Sequence, residues 1–218
     1  MNIESNLKEL KDKTSNYPHT LVAVSKTKPN ALIEAAFAAG QLDFGENKVQ
    51  ELVGKSETLP KAIKWHMIGH LQRNKVKYIA PFVHMVHSVD SIRLLQEINK
   101  QAAKHDRKIN CLLQVHIAQE TTKFGFDFSE INAFLDTNYV EDYPNVQISG
   151  LMGMATNTSD TNQIEKEFKS LRSLFDAHKN LSTLSMGMSS DYPLALACGS
   201  NMIRVGSAIF GARNYTQS

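Results

Sequence analysis

From about residue 20 to residue 205 the sequence alternates a short apolar run with a longer amphipathic one, eight times over. That alternation points to a parallel α/β protein, because a strand must cross over through a helix before a parallel partner can pair with it. The candidate strands are Leu21–Ser25, Asp43–Glu46, Lys64–Gly69, Met85–Val89, Cys111–Ile117, Val146–Met152, Thr183–Gly187 and Met202–Val205. Most are rich in Val, Ile, Leu and Met, as suits strands buried on both faces. Helices fit between them. Asn30–Ala39 has Pro29 near its first turn and Gly40 as its stop. Ser91–Lys104 carries Leu94, Leu95, Ile98 and Ala102 on one stripe, with Asp90 as the expected N-cap. Thr161–Lys179 puts Ile164, Phe168, Leu171, Leu174 and Phe175 on one face. An opening helix from Asn2 to about Lys13 puts Ile3, Leu7 and Leu10 on one face.

Both an open doubly wound sheet and a closed (β/α)8 barrel fit this order. No G-x-G-x-x-G follows an early strand, and eight units in 218 residues make a compact barrel, so the barrel is expected as one domain over residues 1–218. Composition adds exclusions. A formal charge of +2, from 24 basic and 22 acidic residues, argues against a dedicated nucleic-acid binder. Two distant cysteines, Cys111 and Cys198, form no metal or redox pattern and suit a reducing cytoplasm. The polar first twenty residues do not read as a signal peptide, and no apolar stretch reaches membrane-spanning length. A monomer without membrane or nucleic-acid partners is expected.

Active residues of such barrels sit at the C-terminal ends of strands. The first strand ends in VAVSKTKP. Lys26 there can be partly desolvated over the barrel mouth, which leaves a nucleophilic amine able to form Schiff bases with carbonyl compounds. A solvated loop lysine is the competing reading, and Lys28 is expected to point into solvent. In FGENKVQE, Asn47 could hydrogen-bond inside the mouth or merely cap a helix, and Glu46 could form a surface pair with Lys48. In WHMIGHLQRNK, His66 is either a packed core histidine or part of a ligand-pocket wall. His66 and His70 lack the glutamate of H-E-x-x-H, and His84 and His87 have no carboxylate or cysteine neighbours, so no metal is expected. LSMGMSSD supplies Ser185, Gly187, Ser189 and Ser190; MIRVGSAIFGAR supplies Gly206 and Ser207. Two Gly/Ser loops after the seventh and eighth strands suit a phosphate. Ala212-Arg213 replaces the Lys-Ser/Thr of a P-loop, which excludes nucleoside triphosphates. Arg204, inside the apolar strand MIRV, must face either a carboxylate or a ligand.

Together with VHSVDS, TTKFGF and GLMGM, these motifs resemble the pyridoxal 5′-phosphate (PLP) homeostasis protein family, whose members look like a free-standing N-terminal barrel of alanine racemase. The match runs from about residue 20 to 215; Lys48 departs from it, where relatives often carry an aromatic residue or arginine. The resemblance implies PLP as cofactor, Lys26 as its Schiff-base lysine, Arg204 near the pyridine nitrogen, and Ser185, Gly206 and Ser207 around the phosphate. It places Asn47 and His66 near the pocket, and Gly187 is expected beside them from its place in the LSMGMSSD loop. It implies a PLP carrier or buffer without turnover, with apo-enzymes that accept PLP as possible partners. The alternative is an amino-acid racemase. A racemase needs a second base, which alanine racemase takes from a C-terminal β-domain. That domain is not expected here, since the sequence stops at Ser218. An aldolase using Lys26 without PLP ranks last.

Overall fold

A computed structural model describes residues 2–120 and 124–211. Thr121 to Lys123 of TTKFGF, and Ala212 and Arg213 of MIRVGSAIFGAR, lie outside them. Eight parallel strands close on themselves in sequence order. They are β1 (Thr20–Val24), β2 (Asp43–Glu46), β3 (Lys64–Met67), β4 (Met85–Val89), β5 (Ile109–Val115), β6 (Val146–Gly153), β7 (Thr183–Ser185) and β8 (Met202–Val205). Closure comes from β8 pairing with β1, where Val22 faces Arg204. The open-sheet alternative is thereby removed.

The helices surround this barrel: α1 (Ile3–Thr14), α2 (Asn30–Ala38), α3 (Val49–Thr58), α4 (Val76–Ile79), α5 (Ile92–Ala103), α6 (Phe128–Leu135), α7 (Tyr139–Asp142), α8 (Thr161–Ala177), α9 (Tyr192–Ala197) and α10 (Ser207–Phe210). A short 3-10 turn, Arg73–Lys75, precedes α4. The third connection is thus a split element of two short turns. Helix α5 is capped by Ser91, whose Oγ accepts the Leu94 N–H at 3.3 Å, and not by Asp90. Asp90 instead reaches back to His70 Nδ1 at 2.9 Å. Helix α8 starts under the Asp160 carboxylate, which accepts from Asn162 and Gln163.

The apolar residues separate into two groups with different jobs. The larger, including Phe44, Leu52, Trp65, Ile98, Leu113, Phe168 and Ile203, lies between sheet and helices. A smaller plug of Val22, Met85, Leu112, Met152 and Met202 fills the lumen. Inward-facing positions recur every second residue along a strand. They put Val24, Gly45 and Ile68 above Val22, Asp43 and His66 respectively. That stepping decides which side chains reach the mouth. Gly45 is inward for a reason of space: a Cβ there would sit 3.0 Å from both Val22 and Ile68.

Candidate active site at the barrel mouth

A cavity of about 400 Å³ opens at the C-terminal ends of the strands, within the size range of small-molecule sites. Val24, Ile68, Met154 and Met188 give it apolar walls. Lys26, Lys28, Asn47, Ser189, Ser190, Arg204, Gly206 and Ser207 give it polar ones. Lys26, Asn47, Arg204, Gly206 and Ser207, which the sequence reading groups together, all line this cavity.

Lys26 follows β1 by two residues, and the chain on both sides of it is pinned. Ser25 donates its hydroxyl to Glu46 Oε1 at 2.5 Å, and its carbonyl accepts from Lys55 Nζ at 2.8 Å. Thr27 adopts φ +64°, a conformation that a β-branched residue rarely takes. Its N–H donates to Glu51 Oε1 at 2.6 Å, which helps to hold this strained geometry. Glu51 also accepts from Lys55 at 2.6 Å, and Lys55 donates to Glu46 at 2.8 Å. Glu46 is therefore not half of a surface pair with Lys48. It is buried against α3, and burial pushes its carboxyl above its ordinary value although Lys55 and Ser25 oppose the shift. Lys28 is likewise not aimed into solvent: its Nζ donates to the carbonyls of Phe210 and Gly211 at 3.0 and 3.1 Å, at the edge of the cavity.

Arg204 resolves its sequence dilemma by facing inward. Nη1 donates to the Ser185 carbonyl at 3.0 Å and to Ser185 Oγ at 2.5 Å; Nη2 donates to the Gly153 carbonyl at 3.2 Å. Burial lowers its guanidinium to about 10, so it stays cationic at neutral pH. The three bonds hold the planar group from behind while the side chain still borders the cavity.

Three expected pocket residues are not in the cavity lining. His66 sits one inward step below Ile68, and Ile68 takes the lining position. Ser185 lies at the end of β7 with its hydroxyl turned to Arg204. Gly187 turns the chain at φ +92°, where a Cβ would meet that of Ala195 at 2.7 Å. It has no side chain to reach the cavity, and Ser189 and Ser190 do so in its place. The two Gly/Ser loops are joined, since the Gly206 N–H donates to Ser189 Oγ at 3.2 Å. Asp191 steadies the first by accepting the Met188 N–H at 2.6 Å.

Behind the cavity a hydrogen-bonded chain runs down the lumen. Ser185 Oγ meets His87 Nδ1 at 3.3 Å, His87 Nε2 meets His66 Nδ1 at 2.8 Å, and His66 Nε2 meets Asp43 Oδ1 at 3.0 Å. Complete burial holds His87 well below its ordinary value, with His66 and Arg204 adding to the effect, so it is neutral. Burial would raise Asp43, but the His66 hydrogen bond and the nearby His66, Lys64 and His84 outweigh it, and Asp43 lies low. Burial also lowers His84, beside His66. The expectation that His84 lacks a carboxylate neighbour is thus corrected by Asp43, whereas His87 meets His66 and Ser185. The relation is invisible in sequence because three separate strands supply the partners.

The family model described as alanine racemase, N-terminal domain, matches residues 1–214. A pyridoxal phosphate homeostasis protein of Haemophilus influenzae is 37% identical over 207 residues, covering 91% of this chain and 86% of that protein. One from Pseudomonas aeruginosa is 40% identical over 197 residues, covering 89% and 85%. The solved structure of PipY from Synechococcus elongatus PCC7942 with PLP bound superposes with a TM-score of 0.86 at 35% identity, covering 96% of this chain and all of that one.

Proposed function

The chain belongs to the pyridoxal phosphate homeostasis protein family, and on that premise we propose that it binds PLP in the mouth cavity and serves intracellular PLP homeostasis without turnover. The observation that carries this reading is one cavity shared by Lys26, Arg204 and two joined Gly/Ser loops. Bound PLP supplies a reactive aldehyde, and Lys26 is the amine that holds it as a Schiff base. Ser189, Ser190 and Ser207 offer hydroxyls to the phosphate, and Gly206 lets the backbone come close to it. Val24, Ile68, Met154 and Met188 give the ring apolar contact, and Asn47 a polar one.

Arg204 supports the carrier reading over the racemase reading. Its fixed positive charge disfavours a proton on a ring nitrogen placed beside it, which weakens the electron sink that racemisation exploits. His66, Ser185 and Gly187 act behind the site by holding Arg204 and turning the chain. The described residues contain no helix long and apolar enough to cross a membrane, and both cysteines are buried and unpaired, in keeping with a cytoplasmic setting. PLP-accepting apo-enzymes are the partners this function would serve.

Absorbance titration with PLP tests the reading. The wild type should develop a Schiff-base band that borohydride abolishes, and Lys26→Ala should not. Pyridoxal, which lacks the phosphate, should bind roughly tenfold or more weakly for each charge-assisted bond lost. Equal bands in both proteins would place the attachment elsewhere, and equal affinities would remove the phosphate assignment. Amino-acid turnover at about 1 s⁻¹ or faster that vanishes in Lys26→Ala would establish the racemase alternative instead.

A further inference from the structure

The end of the lumen opposite the mouth carries a second constellation. Asp43 opens β2, His66 lies in β3, and His84 immediately precedes β4, so three adjacent strands present one side chain each to the barrel floor. One ligand-type atom from each lies within 4.8 Å of the other two. The His66 and His84 rings stand 5.3 Å apart between centroids. We propose that Asp43, His66 and His84 form a binding site for a divalent transition-metal ion of the zinc class.

The donor chemistry sets the class. Two imidazoles and one carboxylate suit Zn²⁺, Co²⁺ or Ni²⁺, whereas Mg²⁺ and Ca²⁺ prefer all-oxygen sites. Ligands at ~2.0–2.2 Å from one ion stand up to about 4 Å apart, so a small turn of the half-buried His84 ring closes the set. That ring is available to turn: its nitrogens make no hydrogen bond among the described residues. His66 is already held as a ligand would be. Its Nδ1 is engaged by His87 Nε2 at 2.8 Å, which leaves Nε2 aimed at Asp43. Metal-binding histidines almost always have such a partner on the second nitrogen, which sets the tautomer and the ring angle. His87 is itself held by Ser185, so the supporting shell is two residues deep. Asp43 and His84 are only partly buried, which leaves a path for the ion and room for a water as fourth ligand. Lys64, exposed on the same floor, opposes the ion by charge.

The test uses the untagged chain, stripped with a chelator and free of PLP, so that its outcome is independent of the mouth cavity. Co²⁺ is the probe. One equivalent should produce a visible ligand-field band that Zn²⁺ displaces. His84→Ala and Asp43→Asn should each weaken binding by at least about tenfold, and His87→Phe by about 10- to 100-fold. Lys64→Gln should tighten it. On Zn²⁺ addition, ¹⁵N shifts should show His66 bound through Nε2 and protonated on Nδ1. His66→Ala leaves a buried gap and can unfold the chain, so the decision rests on the two partly exposed ligands. Absence of a band at one equivalent, or binding unchanged in both His84→Ala and Asp43→Asn, would overturn the site.

Discussion

Two polar networks approach Lys26 and Arg204 from opposite faces of one sheet, and they are built differently. Outside the barrel, Ser25, Glu46, Glu51 and Lys55 form a compact ionic knot between β2 and α3. Lys55 spends its three donors on the Ser25 carbonyl, Glu46 and Glu51, while Glu46 Oε2 has no hydrogen-bond partner among the described residues. Inside, Asp43, His66, His87, Ser185 and Arg204 draw one side chain from each of five strands, with charge only at the two ends of the chain when the histidines are neutral. The outer knot grips backbone, at Ser25 and Thr27 on either side of Lys26. The inner chain grips a side chain, the guanidinium of Arg204. A short ionic cluster suits the first task, because one helix face can fix a loop. An extended chain suits the second, because only strands across the lumen can reach a group in its centre.

The largest difference should appear when each network loses one member. Lys55→Met strands the buried Glu46 carboxylate and should cost about 3–5 kcal/mol in urea unfolding. Adding Glu46→Gln should recover most of it. A cost below about 1 kcal/mol, the range of surface pairs, would show that water reaches Glu46 and that the knot is not ionic in effect. Ser185→Ala should cost less, about 1.5–3 kcal/mol, because Arg204 keeps the carbonyls of Ser185 and Gly153. A cost above that of Lys55→Met would reverse the ranking of the two networks.

The smallest effect is a pH slope. Burial, its largest influence, raises Glu46 above 4.5, so the native chain binds this proton more readily than the unfolded chain. The contribution is complete below 4.5 and is lost as pH rises through the folded value. Wild type measured against Glu46→Gln between pH 4 and 7 should therefore lose relative stability as pH rises. A relative gain would mean that Lys55 outweighs burial at this carboxylate.

Much of the mouth was legible in sequence. Lys26 stands out because an apolar run ends just before it, and Gly206 with Ser207 because they follow MIRV. The outer knot was not, although Glu46 and Lys55 are only nine residues apart. The neighbouring Lys48 offered an equally good partner on paper, and only the packing of α3 turns Lys55 inward. His66 was misplaced for a subtler reason. Sequence shows that it lies in a strand but not how high, and one inward step separates the ring from the cavity. Ser185 and Ser189 were exchanged by the same uncertainty. Asp90 lost the cap of α5 to Ser91 because His70 competes for its carboxylate.

By itself the sequence determined the alternation, the order of the strands, and the polar residues that follow their ends, since periodicity and loop chemistry are written in adjacent residues. Tertiary structure alone decided the level each side chain occupies in the lumen and the partners that meet across it. Ser185 and His87 are 98 residues apart and share a hydrogen bond. Arg204 faces Val22 only because β8 returns to β1. Barrel closure is a global constraint: it sets the stagger of every strand at once, and no local stretch of sequence contains it.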